Sequence, residues 1–269
     1  MAEPSICAVM LTKDRPELAR RAVECFRRQT YPAKSMLVYE TGFPTKLRPG
    51  VGGGNVFHWS GGRPEDNKRT IGELRNVANG YSAKTPNFPA SDILMHWDDD
   101  DWSHPNRIAE QVELLQSPGV DVVGYNEMLF SRRMVSRVMC DSFGGEGPDG
   151  RIEVDRYEAW LYSNPNPGYA LGTSLCYWRK TWERKPFAAT SKGEDLQFIT
   201  GLKCVGRSSI EGCAPGSIAE AEPRMIARIH GSNTSTAYDP RKMEAESRLA
   251  NPLWRRVPEW DEHCRSVME

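Results

Sequence analysis

Residues 93–102, Ile93-Leu94-Met95-His96-Trp97-Asp98-Asp99-Asp100-Asp101-Trp102, run from apolar side chains straight into four consecutive carboxylates. A short apolar run bounded by polar residues reads as a buried strand. The acids are therefore expected where that strand leaves the core, at the edge where open α/β sheets receive ligands. Side chains alternate along an extended chain, which would set Asp98 and Asp100 on one side and Asp99 on the other. Carboxylates that converge on one spot repel unless a cation lies between them. Hard oxygen donors suit Mg2+ or Mn2+, and an ion held by one or two carboxylates keeps positions open for phosphate oxygens. The plainer alternative is a solvated acidic loop; the buried-type strand in front of the acids favours the metal.

The composition sets outer bounds. A chain of 269 residues with 39% hydrophobic content has room for one large core or two small ones. No apolar run approaches the roughly 20 residues of a membrane span, and Met1-Ala2-Glu3-Pro4-Ser5 lacks the basic and apolar parts of a signal peptide. Seven cysteines, odd in number and never spaced Cys-x-x-Cys, argue against a disulfide framework or a structural zinc site. The expected location is the cytoplasm. A net charge of −1 provides no overall field to attract nucleic acid.

Outward from the acidic strand, the pattern alternates strand and helix. Ile6–Leu11 reads as a first strand, followed by a helix opened by Asp14 and Glu17 at capping-box spacing with Pro16 in its first turn. Met36–Glu40 would complete a parallel βαβ unit. Residues 42–54 read as a surface loop; their glycines lack the Gly-Lys-Ser/Thr of a P-loop. Val56–Trp59 is a third strand, and Thr70 and Glu73 cap a helix carrying Arg75 and Asn76. After the acids, Ile108, Val112 and Leu115 mark one helix face. Val120–Phe130 and Met134–Cys140 suggest two strands joined around Ser131-Arg132-Arg133, an antiparallel addition. Residues 141–170 read as a long loop, Leu171–Trp178 as a strand, and Ser191 and Glu194 as the cap of a helix through Leu202. Met225–His230 is a last strand, and residues 236–269 read as a helical tail.

This order of features resembles the family 2 glycosyltransferases, nucleotide-sugar-dependent enzymes of the GT-A fold, over roughly residues 5–235. The resemblance rests on Leu11-Thr12-Lys13-Asp14-Arg15-Pro16 with Gln29-Thr30-Tyr31-Pro32, on Arg75-Asn76, on Trp97-Asp98-Asp99-Asp100-Asp101 (a DXD pattern), on Gly193-Glu194-Asp195 and on Arg228-Ile229-His230-Gly231. It implies an α/β fold whose Rossmann-like nucleotide-binding half, about residues 1–119 with a mixed central sheet, precedes a small antiparallel acceptor half, about 120–235. It also implies that Thr12 and Glu40 help hold the nucleobase, that Arg75 faces the nucleotide, that one or both of Asp98 and Asp99 contact the ribose, and that Asp100 ligates Mn2+ or Mg2+. A histidine at the position of His230 completes the metal site in many relatives, with Ser232, Asn233 and Thr234 as a segment over the diphosphate. The family's second strand often ends in an acidic pair, whereas Glu40 is followed here by Thr41. The Gln-x-x-Arg-Trp motif and membrane helices of processive synthases are missing, so one sugar per encounter is expected.

The chemistry of the residues agrees. A diphosphate would be repelled by Asp98–Asp101 without a bridging cation, which also stabilises the departing diphosphate as a Lewis acid. Transfer needs a base for the acceptor hydroxyl. The resemblance makes Asp195, by its place in Gly-Glu-Asp, the candidate, and with a single base it implies inversion; read from the residues alone, a carboxylate simply favoured at a helix N-terminus is the structural alternative. His58, His96, His104 and His263 show no ligand spacing, and Trp102 and Trp178 are expected to pack in the core. The resemblance makes a UDP-sugar the expected donor; the acceptor stays open between a glycan, a protein, a small molecule and a modified nucleobase in DNA. A sugar nucleotidyltransferase is the rival enzyme, but it would need a glycine-rich first turn that Thr12–Pro16 lacks. A GT-A domain that binds nucleotide-sugar or glycan without turnover is the rival outside catalysis.

Overall fold

In the computed structural model, residues 3–42, 53–60, 65–84, 90–139, 151–212, 222–230, 240–249 and 252–269 are described. β1 (Ile6–Thr12), α1 (Pro16–Arg27) and β2 (Lys34–Glu40) form the expected βαβ unit, with parallel register from Ile6 opposite Lys34 to Thr12 opposite Glu40. α1 buries Ala19, Ala22, Val23, Cys25 and Phe26 and leaves Arg21, Arg27 and Arg28 outside. Its expected capping box does not form. Pro16 begins the helix, so Arg15 is the N-cap, and Asp14 turns back with φ 52°. Glu17 thereby falls one position short of where a box partner must sit.

β3 (Val56–Ser60) extends the sheet parallel to β2. α2 (Ile71–Lys84) opens with the predicted box: Glu73 N–H donates to Thr70 Oγ1 at 3.3 Å while Thr70 N–H donates to Glu73 Oε2 at 2.8 Å. β4 (Ile93–His96) is parallel to β1 and buried throughout. After β5 (Trp102–Ser103), α3 (Arg107–Leu115) buries Ile108, Val112 and Leu115 as its pattern required.

The second half departs from expectation. β6 (Val122–Met139) is a single strand of 18 residues, with no turn at Ser131–Arg133. Those residues stay in the ladder opposite Ala159, Glu158 and Tyr157, and Arg132 and Arg133 find Glu158 and Asp155 across the strands, so the charges are paired in the sheet and mark no turn. Their partner is β7 (Arg151–Ser163), which lies inside the stretch expected to be loop. Tyr157, Ala159 and Leu161 enter one core and Trp160 and Tyr162 another. From Ala159 to Tyr162 both faces are buried, which breaks the alternation there, and the strand's Pro-, Gly- and Asn-rich flanks hid it. Residues 141–150 lie outside the described ones.

Of Leu171–Trp178, only β8 (Cys176–Trp178) is strand; Gly172–Ser174 forms a 3-10 turn. α4 (Arg179–Arg184) and α5 (Glu194–Ile199) follow, and α5 ends before Leu202. The Ser191–Glu194 box also fails. Gly193 with φ 71° is the N-cap, and Ser191 Oγ instead accepts from Ile71 N–H at 3.2 Å, capping the neighbouring helix. β9 (Cys204–Ser208) and β10 (Met225–Ile229) both run parallel to β6. The tail is not purely helical. Between α6 (Pro240–Glu246) and α7 (Asp261–Met268) it supplies β11 (Trp254–Arg256), antiparallel to β7.

The main sheet runs β11-β7-β6-β8-β4-β1-β2-β3, with β9 and β10 joined to β6 and β5 to β10. Strands β4, β1, β2 and β3 are mutually parallel; β8 pairs antiparallel with both β4 and β6. This is the expected mixed α/β sheet. Alternate residues of β1 feed different cores, Ile6, Ala8 and Met10 on one face and Cys7 and Val9 on the other. Cys7, Cys25, Cys176, Cys204 and Cys264 are all free and buried.

Candidate active site

Parallel β1, β2 and β4 end at one edge of the sheet, and they bring Thr12, Glu40 and the acidic run together there. The acids do not alternate as an extended chain would require. The strand stops at His96 and the backbone turns through Asp99 and Asp100, so the carboxylates reach different sets of partners, with Arg15 shared by Asp99 and Asp100. Asp99 accepts from Thr12 Oγ1 at 2.7 Å and pairs with Arg15 Nη2 at 2.8 Å. Asp100 Oδ2 accepts from Arg15 Nη1 at 2.9 Å and lies 2.6 Å from His230 Nε2. Asp98 faces Arg75 Nη2 at 4.0 Å. Asp101 accepts from Thr173 Oγ1 at 2.5 Å and from Arg228 N–H at 3.1 Å, which ties the run to β10 and to the turn before β8.

These partners sort the charge. Burial drives the pKa of Asp98 up, and burial with the neighbouring Asp100 charge raises Asp99 to about 7 and Asp101 well above the usual range. Burial opposes ionisation of Asp100 too, but His230 and Arg15 together hold its pKa below the ordinary value. Asp100, the carboxylate with the imidazole beside it, is thus the one of the four whose ionised form its partners favour over the free acid.

Glu40 is fully buried, and its pKa is raised by that burial. His58, from the adjacent β3, lies 3.0 Å from its Oε2, whereas Oε1 has no partner. An orphaned buried carboxylate oxygen is an acceptor awaiting a donor. Arg75 joins α2 to the site, with Nε 3.6 Å from Glu194 Oε1 at the start of α5. Asp195 follows Glu194; its Oδ1 accepts from Leu196 N–H at 2.8 Å and its carboxyl packs on Gly172, where a Cβ would lie 2.0 Å from Oδ2. The Gly172 carbonyl in turn accepts from His96 Nδ1 at 2.6 Å. Burial pushes the His96 pKa well down, so the ring is neutral, wedged against Tyr177 and Phe187.

The eight residues singled out from sequence thus reach one edge and the α5 start facing it through Arg75. Arg15, His58 and His96 were given no role, and they contact Asp100, Glu40 and the Gly172 turn respectively. Arg15 alone carried a signal, as a basic residue in the turn leaving β1. Asn76 and Gln29 prove to be struts: Asn76 bonds Phe187 and Trp182, and Gln29 bonds Cys25, His104 and Ile108. Trp102 is buried as expected, and Trp178 is tied to Val120 O at 3.2 Å. Ser232–Thr234 lie outside the described residues. Among those described, no three or more His, Cys, Asp or Glu side chains cluster as a metal cage. Asp100 and His230 are a pair only.

No family model and no curated protein sequence matches this chain. Solved structures do. The mannosyltransferase PcManGT from Pyrobaculum calidifontis, in complex with GDP-Man and Mn2+, superposes over 100% of this chain and 70% of its own with a TM-score of 0.52 at 10% identity. S. aureus TarS 1–349 in complex with UDP-GlcNAc covers 98% of this chain and 70% of its own, with a TM-score of 0.54 and 12% identity. A longer TarS structure is matched over 42% of its length. No described helix is long and apolar enough to cross a membrane. At such identities the likeness speaks to architecture, and the mixed sheet with its acidic edge is the GT-A type of α/β fold.

Proposed function

We propose that this protein is a metal-dependent, inverting glycosyltransferase that moves one sugar from a UDP-sugar to an acceptor hydroxyl. The observation that carries it is the Asp100–His230 pair at 2.6 Å on the sheet edge, with Asp195 on the α5 turn that Arg75 links to the same acids. PcManGT and TarS, which share the fold, bind nucleotide-sugars. One carboxylate held ionised and one imidazole suit Mn2+ or Mg2+, which take their remaining ligands from phosphate and water. Such an ion, held by Asp100 and His230, would supply Lewis-acid stabilisation of the leaving diphosphate.

The chain's own residues do the rest. The orphaned Glu40 Oε1 accepts an N–H of the base, with Thr12 beside it at the end of β1. Asp98, one-third exposed, contacts the ribose, Asp99 braces Thr12 and Arg15 behind it, and Arg75 faces the phosphates. Asp195 takes the proton of the acceptor hydroxyl as its oxygen bonds to the anomeric carbon and the bond from that carbon to the diphosphate breaks. Residues 1–119 serve the donor and 120–235 the acceptor, which is a glycan, a protein, a small molecule or a modified nucleobase in DNA; the setting is the cytoplasm.

Nucleoside diphosphate release is measured with UDP- and GDP-sugars, Mn2+ or Mg2+, and a panel of those acceptors. Turnover should require the metal and favour UDP donors. Asp195→Asn should nearly abolish transfer yet keep donor affinity; undiminished turnover would remove Asp195 from the reaction. A domain that binds without turnover would release no diphosphate under any condition.

A further inference from the structure

We propose that Arg15 is a built-in counter-cation of the metal position: it holds the acidic edge together before loading, yields Asp100 to the divalent ion, and passes to the diphosphate. The proposal rests on the metal reading above. The guanidinium forks between two carboxylates, with Nη2 2.8 Å from Asp99 Oδ1 and Nη1 2.9 Å from Asp100 Oδ2, and Nη1 is also 3.4 Å from His230 Nε2. It thus touches both residues assigned to the ion, and it occupies a lone pair of Asp100 Oδ2 whose other neighbour is His230. A cation bound at that oxygen meets a like charge at hydrogen-bond distance, so one of the two must leave.

The partner able to leave is the arginine. Its side chain is 37% exposed, against 1% for Asp99 and 11% for Asp100. As the N-cap of α1 it makes no side-chain capping bond, so no helix contact is broken when it moves, while its backbone carbonyl stays anchored by Ala19 N–H at 3.0 Å. The edge needs the guanidinium, because four consecutive carboxylates sit there and its fork bridges two of them, Asp99 and Asp100. An arginine keeps its charge at any working pH, and its planar fork matches two phosphate oxygens as well as two carboxylates. The exchange therefore conserves a paired guanidinium in both states.

The test is calorimetric binding of Mn2+ without nucleotide, and of UDP at saturating Mn2+, for the wild type, Arg15→Gln, Arg15→Lys and Asp100→Asn, with melting temperatures to confirm folding. Arg15→Gln should bind Mn2+ about tenfold more tightly and UDP about tenfold more weakly, opposite signs from one substitution. Arg15→Lys, charged but unable to fork, should fall between and substitutes if the glutamine variant does not fold. Mn2+ affinity that does not rise, or UDP affinity that does not fall, overturns the exchange. Asp100→Asn separates the two levels. If it binds Mn2+ like the wild type, the metal position itself is wrong; if it loses Mn2+ while the Arg15 variants are unchanged, only the exchange fails.

Discussion

Gly172→Ala tests the proposed base without touching it. The added Cβ would lie 2.0 Å from Asp195 Oδ2, 2.7 Å from its Cγ and 2.9 Å from its Cβ. Rotating the carboxyl relieves the first two contacts but not the third, so the start of α5 must also retreat, by about 0.5 Å to regain ordinary contact. The Gly172 side cannot give way. Its carbonyl is held by His96, Thr173 bonds Asp101, and Ser174 is bonded to Leu171 and Gln111. Gly172 is not among the glycines with positive φ, so alanine suits its backbone. The overpacking should cost about 1–3 kcal/mol of stability, which a melting curve reads. Displacing a reacting group by about 1 Å can cost about a hundredfold in rate. The expected result is a kcat lower by one to two orders of magnitude with KM for the donor and UDP affinity unchanged. A folded variant with wild-type kcat would refute the reasoning, since Asp195 would then have moved without consequence.

Three further outcomes follow from other parts of the structure. Glu40→Gln should lose about tenfold in nucleotide affinity, because a neutral amide replaces a buried carboxylate acceptor, and should leave nucleotide-free Mn2+ binding unchanged in the same titrations. The backbone N–H and hydroxyl of Thr70 hold the Glu73 pKa below 4.5, so the cap adds stability above that value and loses it as pH falls through the depressed pKa. The melting-temperature gap between wild type and Glu73→Gln should therefore be widest above pH 4.5 and close on acidification. Trp97, buried beside Phe26 and donating to Ala22 O at 3.1 Å, should cost about 3–5 kcal/mol when replaced by alanine, read from the denaturant midpoint.

Sequence pattern was most legible where one physical cause acted alone. β1, β2, β4 and β10 were readable because their apolar runs are buried along most of their length, and α1 and α3 because one face is apolar. The same logic failed at β7, where charged residues precede a stretch, Ala159–Tyr162, buried on both faces, and at β6, where Arg132 and Arg133 find their counter-charges on another strand. The Thr70 box formed as spaced, but the boxes at Asp14 and Ser191 did not, since Pro16 and Gly193 moved the helix starts.

Residue order alone was enough to place Thr12, Glu40 and Asp98–Asp100 at a strand-end edge, because a parallel strand leaving the core has one place to put polar side chains. Folding was needed to say which acid has partners that favour its ionised form. Arg15 and His230 are 215 positions apart and meet on Asp100, and His96 reaches Gly172 across 76 positions to shape the bed of Asp195. Electrostatic selection among four adjacent carboxylates depends on burial and on partners brought from distant strands, and neither is written in the spacing of Asp98 to Asp101.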